Sequence, residues 1–263
     1  RWLTHPETFT AMEMHINQAA NLLREATPDS TPVYFSPFTP AHPVVILRGQ
    51  DLAPRPVAAF NSHECWVVPD DPAAYVSLTL YEPSFADQLG RWAEVRLLYA
   101  DETDAAPRPR YSVFMALPDA GAAGQRVAQF SDQFDIRLLS PLPAEVARGA
   151  SMTVTIGVRA LRSPEIAPSV FLHLYTIPTP YEGGAMLAQA DSQLCTSYPA
   201  HLWRQDETVI QMFRLAIPAD TEPGLHLIGM GMYPFPEGDR LPVLIPDDSV
   251  YDYVALHELR VVP

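Results

Sequence analysis

Apolar residues begin the chain with the spacing of a helix, and in its second half they alternate with polar residues as in β-strands. In the first half, six of them recur at three- and four-residue intervals: Phe9, Met12, Ile16, Ala19, Ala20 and Leu23. This spacing predicts an amphipathic helix from Glu7 to Glu25, ended by the cluster Thr27-Pro28-Asp29. Short apolar, β-rich segments follow and predict strands at Pro32–Phe35, Val44–Leu47, Val57–Phe60, Cys65–Val68 and Tyr75–Leu80.

A second helix is predicted from Ser84, a favourable N-cap residue, to about Trp92. Strand-like segments follow at Val95–Tyr99 and Tyr111–Leu117. Strands that alternate with helices indicate a layered α/β arrangement. We therefore predict a small α/β domain over residues 1–118.

Between Pro118 and Ser131 the composition changes to small and polar residues without an apolar period, so residues 119–131 are predicted to be a linker. Apolar residues then alternate with polar ones, as in Phe134, Ile136 and Leu138. Other strands with this character are Met152–Val158, Ser169–Thr176, Val209–Leu215, Leu225–Tyr233 and Tyr253–Val262. Frequent strands with Pro- and Gly-rich turns and no convincing helix predict an immunoglobulin-like antiparallel β-sandwich over residues 132–263. The predicted fold class is thus α+β, with two domains.

The charge of the chain excludes several functions. It carries 31 acidic residues against 17 basic ones, for a formal net charge of −14, and this field repels nucleic acid. All basic residues are arginine. The absence of lysine excludes a phosphate-binding loop of the kind that needs a lysine, and it also excludes Schiff-base chemistry. No apolar run approaches the roughly 18 to 20 residues that a membrane-spanning helix needs.

The two cysteines, Cys65 and Cys195, lie 130 positions apart, in different predicted domains. We expect buried free thiols, with an interdomain disulfide as the alternative in an oxidising compartment. His63-Glu64-Cys65 places a thiol near an imidazole and a carboxylate, but an acidic chain disfavours a reactive thiolate. We therefore assign no catalytic role to Cys65.

The best binding candidate is the loop-like stretch with Tyr198, His201 and Trp203. Exposed aromatic faces with polar tips could stack on sugar rings, so these three residues form a tentative glycan site. The alternative is that Trp203 fills the end of the sandwich. His173, on one face of a strand, is expected to form hydrogen bonds within the fold rather than to bind a metal.

The acidic groups Asp70-Asp71, Asp206-Glu207 and Asp247-Asp248 with Asp252 lack the alternating ligand spacing of a calcium loop. The chain has no Asp-x-Asp motif for binding a sugar nucleotide, and Asp101-Glu102-Thr103-Asp104 is only similar to one. We predict no catalytic residue, no metal site and no cofactor in this chain.

A spaced signature in the second half adds a family context: Gln189, Asp191-Ser192, Tyr198-Pro199, Trp203, Glu207, Ile217-Pro218 and Pro223-Gly224. Together with Pro32–Pro37 and His42-Pro43 in the first half, it resembles the soluble C-terminal region of large bacterial membrane glycosyltransferases of the dolichyl-phosphate-mannose-protein mannosyltransferase type. The chain departs from that pattern at Asp206, where the family usually has glycine.

The resemblance implies that the catalytic carboxylate and the lipid-phosphate-sugar site belong to a membrane domain, which would be the partner of this region. The chain itself would be non-catalytic, face outward from the cytoplasmic membrane, and bind an acceptor glycan or protein. One alternative is an independent soluble enzyme, hydrolase-like, with a site in the α/β domain or in the interdomain cleft. Another is an interaction or assembly domain, marked by a broad apolar patch.

Overall fold

The computed structural model describes residues 14–101, 109–119, 124–236, 238–245 and 252–263. These residues are rich in β-strands, which form several sheets. The chain divides into two compact units, Arg1–Ala122 and Ala123–Pro263. Residues 7–13 of the first predicted helix lie outside the described residues.

Within its described residues, the first unit contains three helices and six strands. The helices are α1 (Met14–Ala26), α2 (Pro43–Leu52) and α3 (Phe85–Leu89). The strands are β1 (Val33–Ser36), β2 (Val57–Ala59), β3 (Trp66–Pro69), β4 (Ala73–Ser77), β5 (Ala93–Ala100) and β6 (Ser112–Pro118).

Five of these strands form a mixed sheet in the order β2-β1-β4-β6-β5. Strand β1 runs parallel to β2 and β4, whereas β6 pairs antiparallel with β4 and β5. Ile16 and Leu23 of α1 pack in one core cluster with Val33 and Phe35 of β1, and α2 joins the same cluster. On the other face of the sheet, Phe85 of α3 lies against aromatic rings of β4 and β6. Both faces of the sheet are therefore covered, as in a layered α/β unit.

One predicted strand of this unit is wrong, because Val44–Leu47 belongs to α2. Pro43 opens that helix, at a position where the missing N–H has no helical partner to lose. Val45 and Leu52, seven residues apart, lie on its buried face, whereas Ile46 and Leu47 are half-exposed. The four consecutive apolar residues Val44–Leu47 do not show this helical spacing in the sequence.

The second unit contains ten strands and two short 3₁₀ helices among its described residues. The strands are β7 (Gln125–Phe130), β8 (Phe134–Leu138), β9 (Glu145–Ala147), β10 (Ser151–Ala160), β11 (Pro168–Tyr175), β12 (Met186–Gln193), β13 (Glu207–Ala216), β14 (Gly224–Pro234), β15 (Val243–Ile245) and β16 (Val254–Val262). The 3₁₀ helices span Pro180–Glu182 and Ala200–Leu202. Strand β7 lies inside the segment 119–131 that composition had assigned to a linker.

The strands of the second unit form two sheets. The first sheet has the order β15-β7-β8-β10-β13, and its pairings are antiparallel. The second has the order β12-β11-β14-β16-β9, with β9 parallel to β16 and the other pairs antiparallel. This arrangement is consistent with a β-sandwich. Strand β16, the last in the chain order, lies in the interior of the second sheet between β14 and β9.

Candidate functional site

The predicted glycan site at residues 198–203 lies mostly inside the fold. Tyr198 and Trp203 are each only 1% exposed. The indole Nε1 of Trp203 donates a hydrogen bond to the carbonyl of Tyr198 at 2.7 Å, and its ring meets that of Phe134 edge to face. A ring so enclosed cannot stack on a sugar, so the structure agrees with the alternative in which Trp203 fills the interior.

The neighbouring polar groups are also used within the fold. Glu207 is fully buried, and its Oε2 lies 2.9 Å from the hydroxyl of Tyr198. Arg204 donates from Nε to Glu207 Oε1 at 2.6 Å and from its backbone N–H to Oε2 at 2.9 Å. His201 is exposed, but the two larger rings of the predicted platform, Tyr198 and Trp203, are buried. These contacts explain the Tyr, Trp and Glu of the family-like signature as structural residues.

The cysteines are not free thiols. Cys65 and Cys195 are both buried and both disulfide-bonded, so the expectation of free thiols is wrong. Cys65 thus has no thiolate to offer as a nucleophile.

Three of the acidic residues considered as calcium ligands form ion pairs with arginines, among them Glu207 with Arg204. Asp206 pairs with Arg159 and Asp252 with Arg240. Asp247 and Asp248 lie outside the described residues. Within the described ranges, no group of three His, Cys, Asp or Glu side chains is placed to hold a metal ion.

His173 lies at the centre of a different candidate site, on the second sheet of the second unit. Its Nδ1 lies 2.9 Å from the hydroxyl of Tyr175, and its Nε2 lies 3.2 Å from Oδ1 of Asp191 on β12. Its ring stacks on Phe171, with the centroids 4.4 Å apart. The prediction that His173 is hydrogen-bonded within the fold is confirmed.

Burial lowers the pKa of His173; the Asp191 carboxylate opposes this shift, and the Arg240 charge adds to it. The imidazole is therefore neutral at pH 7, and each of its two nitrogens has one hydrogen-bond partner, the phenol of Tyr175 or the carboxylate of Asp191.

The aromatic cluster extends from β11 towards solvent. Tyr175 and Tyr253 have ring centroids 5.4 Å apart, and Tyr181 stacks on Tyr253, also at 5.4 Å. Tyr175 and Tyr253 are buried, whereas Tyr181 is 48% exposed. Burial raises the pKa of Tyr175 to about 12, so its hydroxyl keeps its proton.

Arg240 and Asp252 complete the solvent-facing part of the site. The guanidinium of Arg240 lies 4.3 Å from the centroid of the Phe171 ring, a cation–π geometry. Its Nη1 donates to the hydroxyl of Tyr181 at 2.9 Å and to Oδ1 of Asp252 at 3.0 Å. The hydroxyl of Tyr181 donates to the same Asp252 oxygen. Arg240 and Asp252 remain 31% and 41% exposed at their side chains. We call Tyr181, Arg240 and Asp252 the outer triad.

The outer triad offers a half-exposed ring face, a cationic donor and an anionic acceptor side by side. Sequence inspection missed it because Tyr181 lies 59 residues from Arg240 and 71 from Asp252. The signal in the sequence is the alternation of Phe171, His173 and Tyr175, which places three rings on one face of a strand.

Comparisons with known proteins leave the family open. No family model matches the chain, and no curated protein is significantly similar to it in sequence. Among solved structures, the C-terminal domain of wzt is 17% identical with a TM-score of 0.31, over 53% of this chain and 76% of that one.

Two further structures are similar to a comparable extent. A β-glucosidase from Listeria innocua in complex with glucose is 16% identical with a TM-score of 0.30, over 50% of this chain and 16% of the glucosidase. The CARDB domain of the PF1109 protein from Pyrococcus furiosus is 16% identical with a TM-score of 0.27, over 55% of this chain and 99% of that domain. At such TM-scores the likeness supports no functional argument.

None of the helices in the described ranges combines the length and the apolar character needed to cross a membrane.

Proposed function

We propose that this chain is an extracytoplasmic region of a membrane glycosyltransferase-like protein that takes no part in glycosyl transfer itself, and that its second unit, an immunoglobulin-like sandwich, binds the glycan of an acceptor. The observation on which the proposal rests is the outer triad, with its exposed tyrosine face beside an arginine and a carboxylate.

A pyranose presents an apolar C–H face and a rim of hydroxyl groups. The ring of Tyr181 supplies an apolar surface for such a face. The guanidinium of Arg240 donates hydrogen bonds in a fixed fork, and the carboxylate of Asp252 accepts them. The triad therefore matches the two kinds of surface that a sugar offers.

The triad is held in place before any ligand arrives. Tyr181 stacks on the buried Tyr253, and Arg240 is fixed over Phe171 as well as by Asp252. A site ordered in advance loses less conformational entropy on binding, which favours affinity.

Charge selects the kind of glycan. The net charge of −14 repels polyanionic chains, and Asp252 already neutralises Arg240 in the triad. We therefore expect a neutral glycan rather than one rich in phosphate or uronic acid.

The cellular context rests on the family resemblance and on the cysteines. Disulfides persist mainly in oxidising compartments, and both cysteines of the chain are disulfide-bonded. This state supports an outward-facing location. The encoded sequence upstream of Arg1 tests the context: several apolar segments of about 20 residues support a membrane partner, and their absence there contradicts it.

A glycan array followed by calorimetry with the best neutral glycan tests the binding proposal. We expect Tyr181→Ala to weaken binding roughly tenfold, the effect of losing one aromatic contact of about 1.4 kcal/mol. Tyr81→Ala is the matched control, since Tyr81 is 58% exposed and lies in the first unit. Circular dichroism verifies that both variants fold.

Equal affinity of the two variants would place the binding elsewhere, and a folded protein that binds no neutral glycan would contradict the proposal. An interaction or assembly domain would then be one of the two alternatives, to be tested by copurification with its membrane partner.

A further inference from the structure

The sheet of the first unit has a topological switch point between β1 and β4. These strands are neighbours and run parallel, but the chain leaves β1 towards β2 on one side and leaves β4 towards β5 and β6 on the other. In open α/β sheets, ligands bind outside the carboxyl ends of strands at such a point.

A buried carboxylate lies at this edge. Ser36 and Ser77 are the last residues of β1 and β4, and both are fully buried. Ser36 Oγ donates to Glu82 Oε1 at 2.9 Å, and Ser77 Oγ donates to Glu82 Oε2 at 3.0 Å. Glu82, 3% exposed, is turned back to the strand ends because its N–H donates to the carbonyl of Leu78 at 2.9 Å.

Ser62 approaches the same carboxylate from the loop after β2. The N–H groups of Glu64 and Cys65 both donate to the carbonyl of Asn61, so Ser62 stands at the second position of a tight turn. Its hydroxyl donates a hydrogen bond to Glu82 Oε1, and its N–H donates to Ser36 Oγ at 3.3 Å. Unlike the other two serines, Ser62 is only partly buried.

This arrangement meets the geometric requirement for covalent catalysis. A nucleophile needs a base within hydrogen-bond reach, and the base needs further groups that orient it. Ser62 and Glu82 are such a pair, and Ser36 and Ser77 orient the carboxylate. We infer that Ser62 is a nucleophile activated by Glu82, and that the first unit cleaves acyl esters.

Burial raises the pKa of Glu82, while hydrogen bonds from Ser62, Ser36 and Ser77 oppose this shift. A carboxylate with a raised pKa is a stronger base than one in water, which agrees with this role.

The steps balance without a co-reactant other than water. Ser62 Oγ bonds to the ester carbonyl carbon as its proton moves to Glu82. The C–O bond to the leaving group breaks, and the leaving alkoxide takes that proton. Water then attacks the acyl-Ser62 ester, Glu82 accepts a proton from it, and the proton returns to Ser62 Oγ as the acid departs.

A fluorophosphonate probe, which reacts with activated serines, tests the inference on the intact chain by peptide mapping. We expect the label on Ser62, its loss in Ser62→Ala, and a labelling rate at least about 100-fold lower in Glu82→Gln, the usual effect of removing a general base. Ser84 is the internal control, since it is exposed and its hydroxyl lies 3.0 Å from Gln88 Nε2 rather than near a carboxylate.

Thermal melts verify that each variant is folded. Ser62→Ala removes one hydroxyl from a partly buried position and keeps the inference testable if Glu82→Gln fails to fold. The inference would be overturned if Ser62 were labelled no faster than Ser84. It would also be overturned if Ser62→Ala hydrolysed p-nitrophenyl acetate as fast as the wild type. These outcomes are independent of the glycan proposal, which concerns residues of the second unit.

Discussion

Two glycine-to-alanine substitutions should change stability in opposite directions. Gly231 on β14 faces Phe171 on β11, and a Cβ at this position would lie 2.2 Å from Cζ and 2.4 Å from Cε1 of that ring. Ordinary contact begins at 3.4 Å, so the ring would have to retreat by about 1.2 Å.

The ring of Phe171 has little room for this shift. It is 1% exposed, stacks on His173, and lies beneath the guanidinium of Arg240. Overpacking of this kind costs about 1 to 3 kcal/mol. The displaced ring should also disturb Arg240, so Gly231→Ala should weaken glycan binding as well.

Gly49 provides the matched control. It lies in α2, where an added Cβ would meet side-chain atoms of Val57 at 3.6 Å, an ordinary contact. Alanine is favoured over glycine in a helix interior by about 0.5 to 1 kcal/mol, so Gly49→Ala should stabilise the first unit.

Urea unfolding followed by circular dichroism gives the free energy of unfolding of each variant, and near-ultraviolet spectra report on the aromatic cluster. Wild-type stability in Gly231→Ala, with an unchanged near-ultraviolet spectrum, would refute the argument from close packing at Phe171.

Three other outcomes are expected. Trp203→Ala should lower the free energy of unfolding by about 3 to 5 kcal/mol, because it leaves a cavity at a buried site. It should leave the glycan affinity of the folded protein unchanged. A loss of affinity without a loss of stability would instead support the predicted glycan site at Trp203. The pKa of His173 is lowered in the fold, so the unfolded chain binds the proton more readily, and stability should fall as pH drops below about 6.5. Urea titrations from pH 5 to 7 should show this fall, and His173→Gln should flatten it. Unfolded, unreduced protein should give no reaction with a thiol reagent, and reduction should release both thiols, Cys65 and Cys195; a free thiol before reduction would contradict the structure.

Most elements with a strong periodic pattern could be predicted from sequence. The alternation in Met152–Val158 predicted β10, and the three- and four-residue spacing up to Leu23 predicted the described part of α1. Where the pattern was ambiguous, the prediction failed. A run of four apolar residues in α2 fits a short strand as well as one side of a helix.

Strand β7 was missed for a different reason. It pairs with β8 and β15, and the second of these lies more than 100 residues away along the chain. The small and polar residues that precede β7 give no sign of it, and its strand structure depends on this pairing with distant residues.

The candidate sites were harder to predict than the fold. Tyr198 and Trp203 were recognised as neighbours, but a residue pattern does not distinguish an exposed ring from a buried one, and here both rings are buried. The outer triad and the serine–carboxylate cluster join segments far apart in sequence, such as Ser36 and Glu82, 46 residues from each other. The pairing of β1 with β4 places Ser36 beside Ser77, and Glu82 follows Ser77 by five residues.

The position of β16 has a consequence for synthesis on the ribosome. This strand lies between β14 and β9, and its residues Arg260 and Val262 pair with Glu145 and Ala147. The nascent second unit therefore cannot close its second sheet until Val262 has left the exit tunnel. Until then, β9 and β14 present open edges to the cytosol or to the translocation machinery, the kind of surface that chaperones protect and that aggregates without them.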